Sequence, residues 1–195
     1  MPEFLSHPSV EIARRLEIRG RHAWLAVLRP AAGQGAALGE LQTELRSVLD
    51  TPVRVLALEA STFEQLREAV QQPEDDAVIL STGAGLTREK WSSLDIMRSA
   101  LERNGPVVLW LTPDEIASLT EFAPNIRSFI GGSIFAAGPD GGLMTETERR
   151  ERLRELEEHY ALTSEEVVRR AERKGLSPEP EFVEWLVLIG RGDLV

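Results

Sequence analysis

Cysteine is absent from this 195-residue chain, and lysine is absent from its first 89 residues. Without cysteine there is no disulfide framework, no thiolate nucleophile and no cysteine-ligated metal. Positive charge is also scarce, since 32 acidic residues outnumber 22 basic ones and give a net charge of −10. A nucleic-acid or anionic-membrane surface needs a basic face, so we expect neither as a partner.

Long apolar runs are missing as well. No segment reaches the roughly 20 apolar residues that a membrane-spanning helix needs. Charged residues interrupt the apolar positions of residues 1–16, which therefore do not resemble a secretory signal peptide. The three histidines, His7, His22 and His159, stand far apart and lack metal-ligand spacing. We therefore expect a cytoplasmic protein with no metal site and no other cofactor.

The chain does contain a regular alternation of apolar strands and amphipathic helices. Four apolar runs, at residues 24–28, 53–58, 77–80 and 107–111, alternate with helical patterns. Continuous apolar runs of this length are typical of strands covered on both faces, as in a parallel sheet. The sequence therefore predicts an α/β fold, a three-layer parallel sheet with helices on both faces, and a short edge strand over 133–136.

Capping signals mark where several helices begin. Ser61 is the expected cap of one helix, with Glu64 three residues later as its capping-box partner. Thr87 and Thr112 are the expected caps of two further helices, and Pro113 suits the first turn of the second.

The pattern divides the chain into two parts. Residues 1–137 form the predicted α/β domain, which begins with an N-terminal helix. The run Gly138-Pro139-Asp140-Gly141-Gly142 interrupts the pattern, so residues 138–143 are interpreted as a linker. The pattern over residues 144–195 predicts a C-terminal helical segment. Its first helix, over 145–160, is highly charged, and its last helix is very apolar.

A glycine-rich stretch after the first strand is the main candidate binding loop. Gly33, Gly35 and Gly39 lie between that strand and the next helix, where phosphate-binding proteins place backbone N–H groups. Ser81 and Thr82 follow the third strand, and parallel strands end at the same edge of a sheet. These five residues are the candidate nucleotide-binding set.

The charges that a triphosphate site needs are not found in this set. A P-loop ends in Gly-Lys-Ser/Thr, but here Gly39 is followed by Glu40 and Leu41, so a carboxylate stands in place of the cation. In a nucleotide hydrolase the strand of the second motif ends in an aspartate that orders Mg²⁺. Here Asp75 and Asp76 precede that strand instead.

The segment from Leu94 to Phe135 resembles part of a known bacterial module. The matching elements are Leu94-Asp95-Ile96-Met97-Arg98, the strand Val107–Leu111 with its Trp110, Phe122-Ala123-Pro124-Asn125-Ile126-Arg127-Ser128-Phe129, and Ile134-Phe135. They are similar to the P-loop-NTPase-like domain of STAND-type proteins, which usually precedes tetratricopeptide repeats. The similarity covers roughly residues 23–136.

The chain departs from the pattern of that family at several positions. Asp95 stands where the family has asparagine, Ser99 where it has aspartate, and Asn125 where it has an acidic residue. The lysine of the phosphate loop is also absent. The resemblance therefore implies a degenerate P-loop-NTPase-like fold whose nucleotide chemistry has been lost.

The resemblance and the missing charges favour a catalytically inactive domain that serves as a protein-interaction or regulatory module in a bacterial signalling or defence-type assembly. The expected partner is a protein, and both a repeat-containing protein and a second copy of this chain are candidates. The expected contact surface consists of residues on the 124–135 segment and on the C-terminal helices: Pro124, Arg127, Phe129, Phe135, Leu153, Leu156, Tyr160, Phe182 and Trp185.

Two alternatives remain open. One is a nucleotide-binding switch that uses the backbone of residues 33–39 without a lysine. The other is a small-molecule transferase or hydrolase at the carboxyl edge of the sheet, with Ser81 or Thr82 taking part.

Overall fold

The computed structural model describes residues 12, 23–29, 34–59, 61–71, 76–81, 86–101, 105–138, 143–177 and 179–195. Within them the chain forms five strands, eight α-helices and two short 3₁₀-helices. The predicted N-terminal helix lies outside the described residues except for Ile12, which is helical and fully buried.

The five strands form one parallel sheet. They are β1 (Trp24–Leu28), β2 (Val53–Ala57), β3 (Ala77–Ser81), β4 (Val107–Leu111) and β5 (Ile134–Ala136). Their order across the sheet is β2-β3-β4-β1-β5, and every pair of neighbours is parallel. All five predicted strands are present within about one residue of their predicted bounds, and the predicted α/β class is confirmed.

The helices connect the strands and follow them. They are α1 (Gln34–Leu49), α2 (Phe63–Gln71), α3 (Arg88–Ile96), α4 (Pro113–Phe122), α5 (Pro124–Ile130), α6 (Glu146–Tyr160), α7 (Ser164–Glu172) and α8 (Pro180–Leu188). The 3₁₀-helices are Arg98–Leu101 and Gly192–Leu194. Thr87 and Thr112 cap α3 and α4 as predicted, because their side chains accept the backbone N–H groups of Lys90 and Glu115.

The cap of α2 lies one residue later than predicted. Ser61 donates its hydroxyl to the carbonyl of Ala57 at 3.0 Å. Thr62 and Gln65 instead exchange two side-chain-to-backbone hydrogen bonds, of 2.9 and 3.3 Å. Both Ser61-Glu64 and Thr62-Gln65 satisfy the capping-box pattern, so the sequence alone could not choose between them.

Side chains of each strand alternate between two apolar clusters, one on each face of the sheet. Trp24, Ala26 and Leu28 of β1 contribute to the first cluster, together with buried residues of α2, α3, α4 and α5. Leu25 and Val27 contribute to the second cluster, which α1 covers. The predicted arrangement of helices on both faces is therefore confirmed.

The helix α8 packs against the sheet, and α6 and α7 pack against α8. α8 contacts α4 and β5, and its Val183 and Val187 belong to the first cluster of the sheet. Both ends of the predicted linker are held to strands: the N–H of Ala137 donates to the carbonyl of Leu28, and the N–H of Met144 to that of Ala136. Apolar packing is therefore continuous across the predicted boundary.

Candidate functional site

A crevice of about 650 Å³ opens at the carboxyl ends of β1, β4 and β5. The strand ends contribute Leu28, Ala136 and Ala137 to its lining, and the beginnings of α4, α6 and α8 contribute most of the rest. Ligands of parallel α/β sheets commonly bind at this edge, and the volume lies in the usual range for ligand pockets. Within the described part of the chain, this crevice is the best candidate for a functional site.

Acidic side chains predominate along the lining. Arg29 and Arg152 are its basic residues, whereas its acidic residues are Asp114, Glu148, Glu151, Glu155, Glu181 and Glu184. With all of these groups ionised, the lining carries a net charge of −4. Such a crevice repels a polyanion such as a nucleoside triphosphate and attracts a cation.

Arg29 is held by a buried carboxylate at the end of β1. Its Nη2 lies 3.4 Å from Oε2 of Glu115, and both side chains are almost fully buried. The backbone N–H of Arg29 donates to the carbonyl of Leu111 at 2.8 Å, which fixes the residue at the junction of β1 and β4. The charge of this arginine is therefore balanced by the protein itself.

Arg152 joins two walls of the crevice. Its Nε and Nη2 donate to the two carboxylate oxygens of Glu184 on α8, both at 2.8 Å, and its Nη1 donates to Glu155 at 3.0 Å. The bond to Glu184 is the main reason that the pKa of Arg152 is raised. The two-pronged geometry fixes the orientation of α6 relative to α8.

The N-termini of two helices at the crevice are capped by the protein's own carboxylates. Glu115 accepts the backbone N–H of Thr112 at 2.7 Å, and Glu148 accepts that of Thr145 at 2.7 Å. Hydrogen bonds from Thr145 lower the pKa of Glu148. Free N–H groups at helix N-termini usually attract a phosphate. In α4 and α6 the capping box already uses two of these groups, one through the carboxylate and one through the threonine hydroxyl.

The described part of the glycine-rich stretch, from Gln34 onward, is helical and not a loop. Gly35 and Gly39 lie within α1, and the carbonyl of Gly39 accepts the hydroxyl of Thr43 at 2.8 Å. In the second turn of a helix a backbone N–H is bonded within the helix, so Gly39 cannot present it to a phosphate. The prediction was wrong there because burial of Leu41 and Leu45 outweighs the low helix propensity of glycine.

Of the other members of the predicted nucleotide-binding set, only Ser81 can be placed relative to the crevice. Gly33 and Thr82 lie outside the described residues. Ser81 ends β3, and its hydroxyl donates to the carbonyl of Leu56 at 3.4 Å. Since β4 separates β3 from β1, Ser81 lies roughly 10 Å from β1 across the sheet, and it is not part of the crevice lining.

Several residues of the predicted contact surface are buried inside the chain. Leu156, Phe182 and Trp185 lie in a cluster formed by α6, α7 and α8, with Leu153 and Tyr160 packed against it. The rings of Phe182 and Trp185 stack with centroids 6.2 Å apart. The sequence showed that these apolar residues must be buried, but it could not tell burial within the chain from burial against a partner.

The 124–135 segment is also used mainly within the chain. The guanidinium of Arg127 donates to the carbonyls of Gly131 and Gly192, and its burial lowers the pKa of Arg127. Phe129 packs against Trp24 with ring centroids 5.8 Å apart. Phe135 is half-buried against the second cluster, whereas Pro124 is exposed in the first turn of α5. Arg127 therefore holds the C-terminal 3₁₀-helix instead of facing solvent.

The sequence analysis missed one interaction, which joins Asp95 to the beginning of α5. Asp95 accepts a hydrogen bond from the side-chain amide of Asn125 at 2.7 Å and another from the backbone N–H of Ile126 at 2.8 Å. Asp95 thereby caps α5, whose own N-cap residue, Ala123, has no side-chain hydrogen bond to offer. Asp95 and Asn125 are 30 positions apart, so nothing in the local sequence pattern indicated that they pair.

No group of three or more His, Asp or Glu side chains among the residues with described positions is arranged to hold a metal ion. No helix in the described ranges is both long enough and apolar enough to cross a bilayer.

Comparisons with known proteins add little to the geometry. No protein-family model matches the chain, and no curated protein matches it. Among solved structures it is similar to a DNA polymerase III gamma subunit-related protein from Thermotoga maritima, with 13% sequence identity and a TM-score of 0.42. The alignment covers 95% of this chain and 69% of that one. A similarity at this level carries no information about what this chain binds or does.

Proposed function

We propose that the chain is a catalytically inactive, P-loop-NTPase-like domain that serves as a cytoplasmic protein-interaction module in a bacterial signalling or defence-type assembly. The observation that supports this most strongly is the acidic lining of the crevice at the carboxyl edge of the sheet. An active NTPase-like domain needs cationic groups and free helix N-termini at that edge to hold a triphosphate.

The electrostatics of the crevice support the absence of nucleotide chemistry. Arg29 is balanced by Glu115, and Arg152 is balanced by Glu184 and Glu155. A triphosphate entering the crevice would therefore meet a net negative lining without an unpaired guanidinium to receive it. Glu40 in α1 adds a further carboxylate after the glycine-rich stretch.

Two features of the crevice support protein binding. The crevice is open and has both apolar and charged lining, as protein-interaction sites do. A repeat-containing protein and a second copy of the chain are both candidate partners, and sedimentation equilibrium of the purified chain distinguishes them by its mass.

Calorimetric titration with ATP and with GTP, each in the presence of Mg²⁺, tests the proposal. We expect no binding heat at two temperatures, the second being needed because the enthalpy of a real interaction can pass through zero at one of them. Titration with Mg²⁺ alone is the control. Saturable binding at micromolar nucleotide would overturn the proposal and favour a lysine-free nucleotide switch.

A further inference from the structure

We propose that the crevice docks a short segment of a partner protein that carries lysine or arginine next to apolar side chains. This inference rests on the proposed function and specifies the chemistry of the partner. Two properties of the lining carry it: an apolar part formed by the strand ends, and a set of carboxylates that no basic residue balances.

The apolar part of the lining suits an aliphatic side chain. Leu28 and Ala136 lie at the ends of adjacent strands, and Pro113, Met144 and Pro180 border them. Apolar surface inside a concave site is stabilised when an apolar ligand group displaces water from it. Methionine in such a lining adapts to side chains of different shape.

The carboxylates of the lining fall into two groups. Glu148, Glu155 and Glu184 are engaged, by the cap of α6 and by Arg152. Asp114, Glu151 and Glu181 are exposed and form no ion pair or side-chain hydrogen bond among the described residues. This second group comes from three helices, α4, α6 and α8, so negative charge borders the apolar part from three directions.

Charge complementarity identifies the occupant. A lysine or arginine whose neighbours fill the apolar part would place its charge beside carboxylates that currently face solvent. A metal ion is a poorer fit, because no three carboxylates in the described part of the chain converge as ligands. The bond between Arg152 and Glu184 holds α6 and α8 in place, so little ordering of the crevice is required on binding.

Selection of random dodecapeptides displayed on phage against the full-length chain tests the proposal. We expect enrichment of peptides that combine lysine or arginine with apolar residues. The dissociation constant of an enriched peptide, measured by fluorescence anisotropy, should rise with ionic strength. The crevice variant Glu151→Lys should bind it about fivefold more weakly, since the substitution removes one exposed ion pair and adds a repulsive charge.

Glu68→Lys is the matched control, because Glu68 lies on the exposed side of α2 and is not part of the crevice. It makes the same change of charge as Glu151→Lys and should leave the dissociation constant within about twofold. The thermal unfolding midpoints of all variants show that each is folded.

Three results would overturn the proposal: no enriched peptide, enrichment without a basic preference, or equal weakening by the crevice variant and by Glu68→Lys. None of these results concerns nucleotides. Failure here is therefore distinguishable from failure of the proposed function, which the titration with ATP and GTP decides.

Discussion

The three C-terminal helices differ greatly in how much of their sequence is buried. α6 contributes one buried residue, Leu156, and α7 contributes one, Val167. α8 contributes six, including Phe182, Val183 and Trp185. The long charged helix that dominates this region in the sequence is therefore not the one that holds it in place.

The two sides of α8 explain this difference. Val183 and Val187 pack into the cluster of the sheet, whereas Phe182, Trp185 and Leu186 pack against α6 and α7. One short helix therefore belongs to both cores, and the crevice lies along the line where they meet. The geometry of the candidate site depends on α8, and the predictions below test that dependence.

The largest effect is expected from Trp185→Ala. Trp185 is fully buried, and its indole N–H donates to the hydroxyl of Ser164 at 3.0 Å. Removing it should lower the free energy of unfolding by about 3–5 kcal/mol, as measured by urea denaturation. Ile96→Ala is the control, because that side chain is 77% exposed and should change the value by less than about 0.5 kcal/mol. A loss below about 1 kcal/mol for Trp185→Ala would contradict the shared core.

A smaller effect is expected at the hydrogen bond between Asp95 and Asn125. Asn125→Asp places two carboxylates in contact and should cost about 1–2 kcal/mol at neutral pH. Adding Asp95→Asn to the same chain restores a donor opposite a carboxylate and should recover most of the loss. A double-mutant cycle in urea measures the coupling. Additive losses would show that the two residues do not act as a pair.

Arg152→Gln should have a still smaller effect on stability. The side chain of Arg152 is 37% exposed, so solvent screens its pairing with Glu184, and we expect a loss of about 0.5–1 kcal/mol. Arg154→Gln is the matched control on the same helix, since that arginine is 70% exposed and lies 4.0 Å from Glu158. Equal losses in the two variants would contradict a specific link between α6 and α8.

The smallest effect concerns pH and the cap of α6. Hydrogen bonds from Thr145 lower the pKa of Glu148 in the folded state. Its stabilising contribution is therefore present above the pKa of the unfolded chain, about 4.3, and is lost as pH falls through the folded pKa. The stability difference between the native chain and Glu148→Gln should shrink as pH is lowered from about 6 to 3. A difference that stays constant over this range would contradict the assignment.

The sheet could be predicted from the sequence because its signals are local. Five-residue apolar runs such as Val107–Leu111 mark strands buried on both faces, and Thr112-Pro113 marks the beginning of a helix. The cap of α4 was also predicted from the sequence, whereas two overlapping capping-box patterns at α2 left its first residue undetermined. Local chemistry therefore predicts the strands to within about one residue, whereas α1 begins inside the predicted glycine-rich loop and the helix α5 was not predicted.

The site could not be predicted in the same way because it depends on contacts between distant residues. Arg29 and Glu115 are 86 positions apart, and Arg152 and Glu184 are 32 apart. Their pairing, which removes the positive charge of the crevice, appears only once the chain is folded. The apolar residues of α8 must be buried, but their sequence does not show whether the chain itself or a partner protein buries them. Their assignment to a partner interface therefore had no support from the sequence over burial within the chain.

Differential scanning calorimetry of the full chain, with and without millimolar ATP and Mg²⁺, is the most direct test of the central claim. We predict one transition whose calorimetric and van't Hoff enthalpies agree, because the sheet and the C-terminal helices share α8. We also predict that the midpoint of this transition is the same with and without nucleotide. Two separate transitions would contradict the shared core. A nucleotide-dependent rise of roughly 10 °C, as expected for a micromolar ligand, would contradict the inactive crevice.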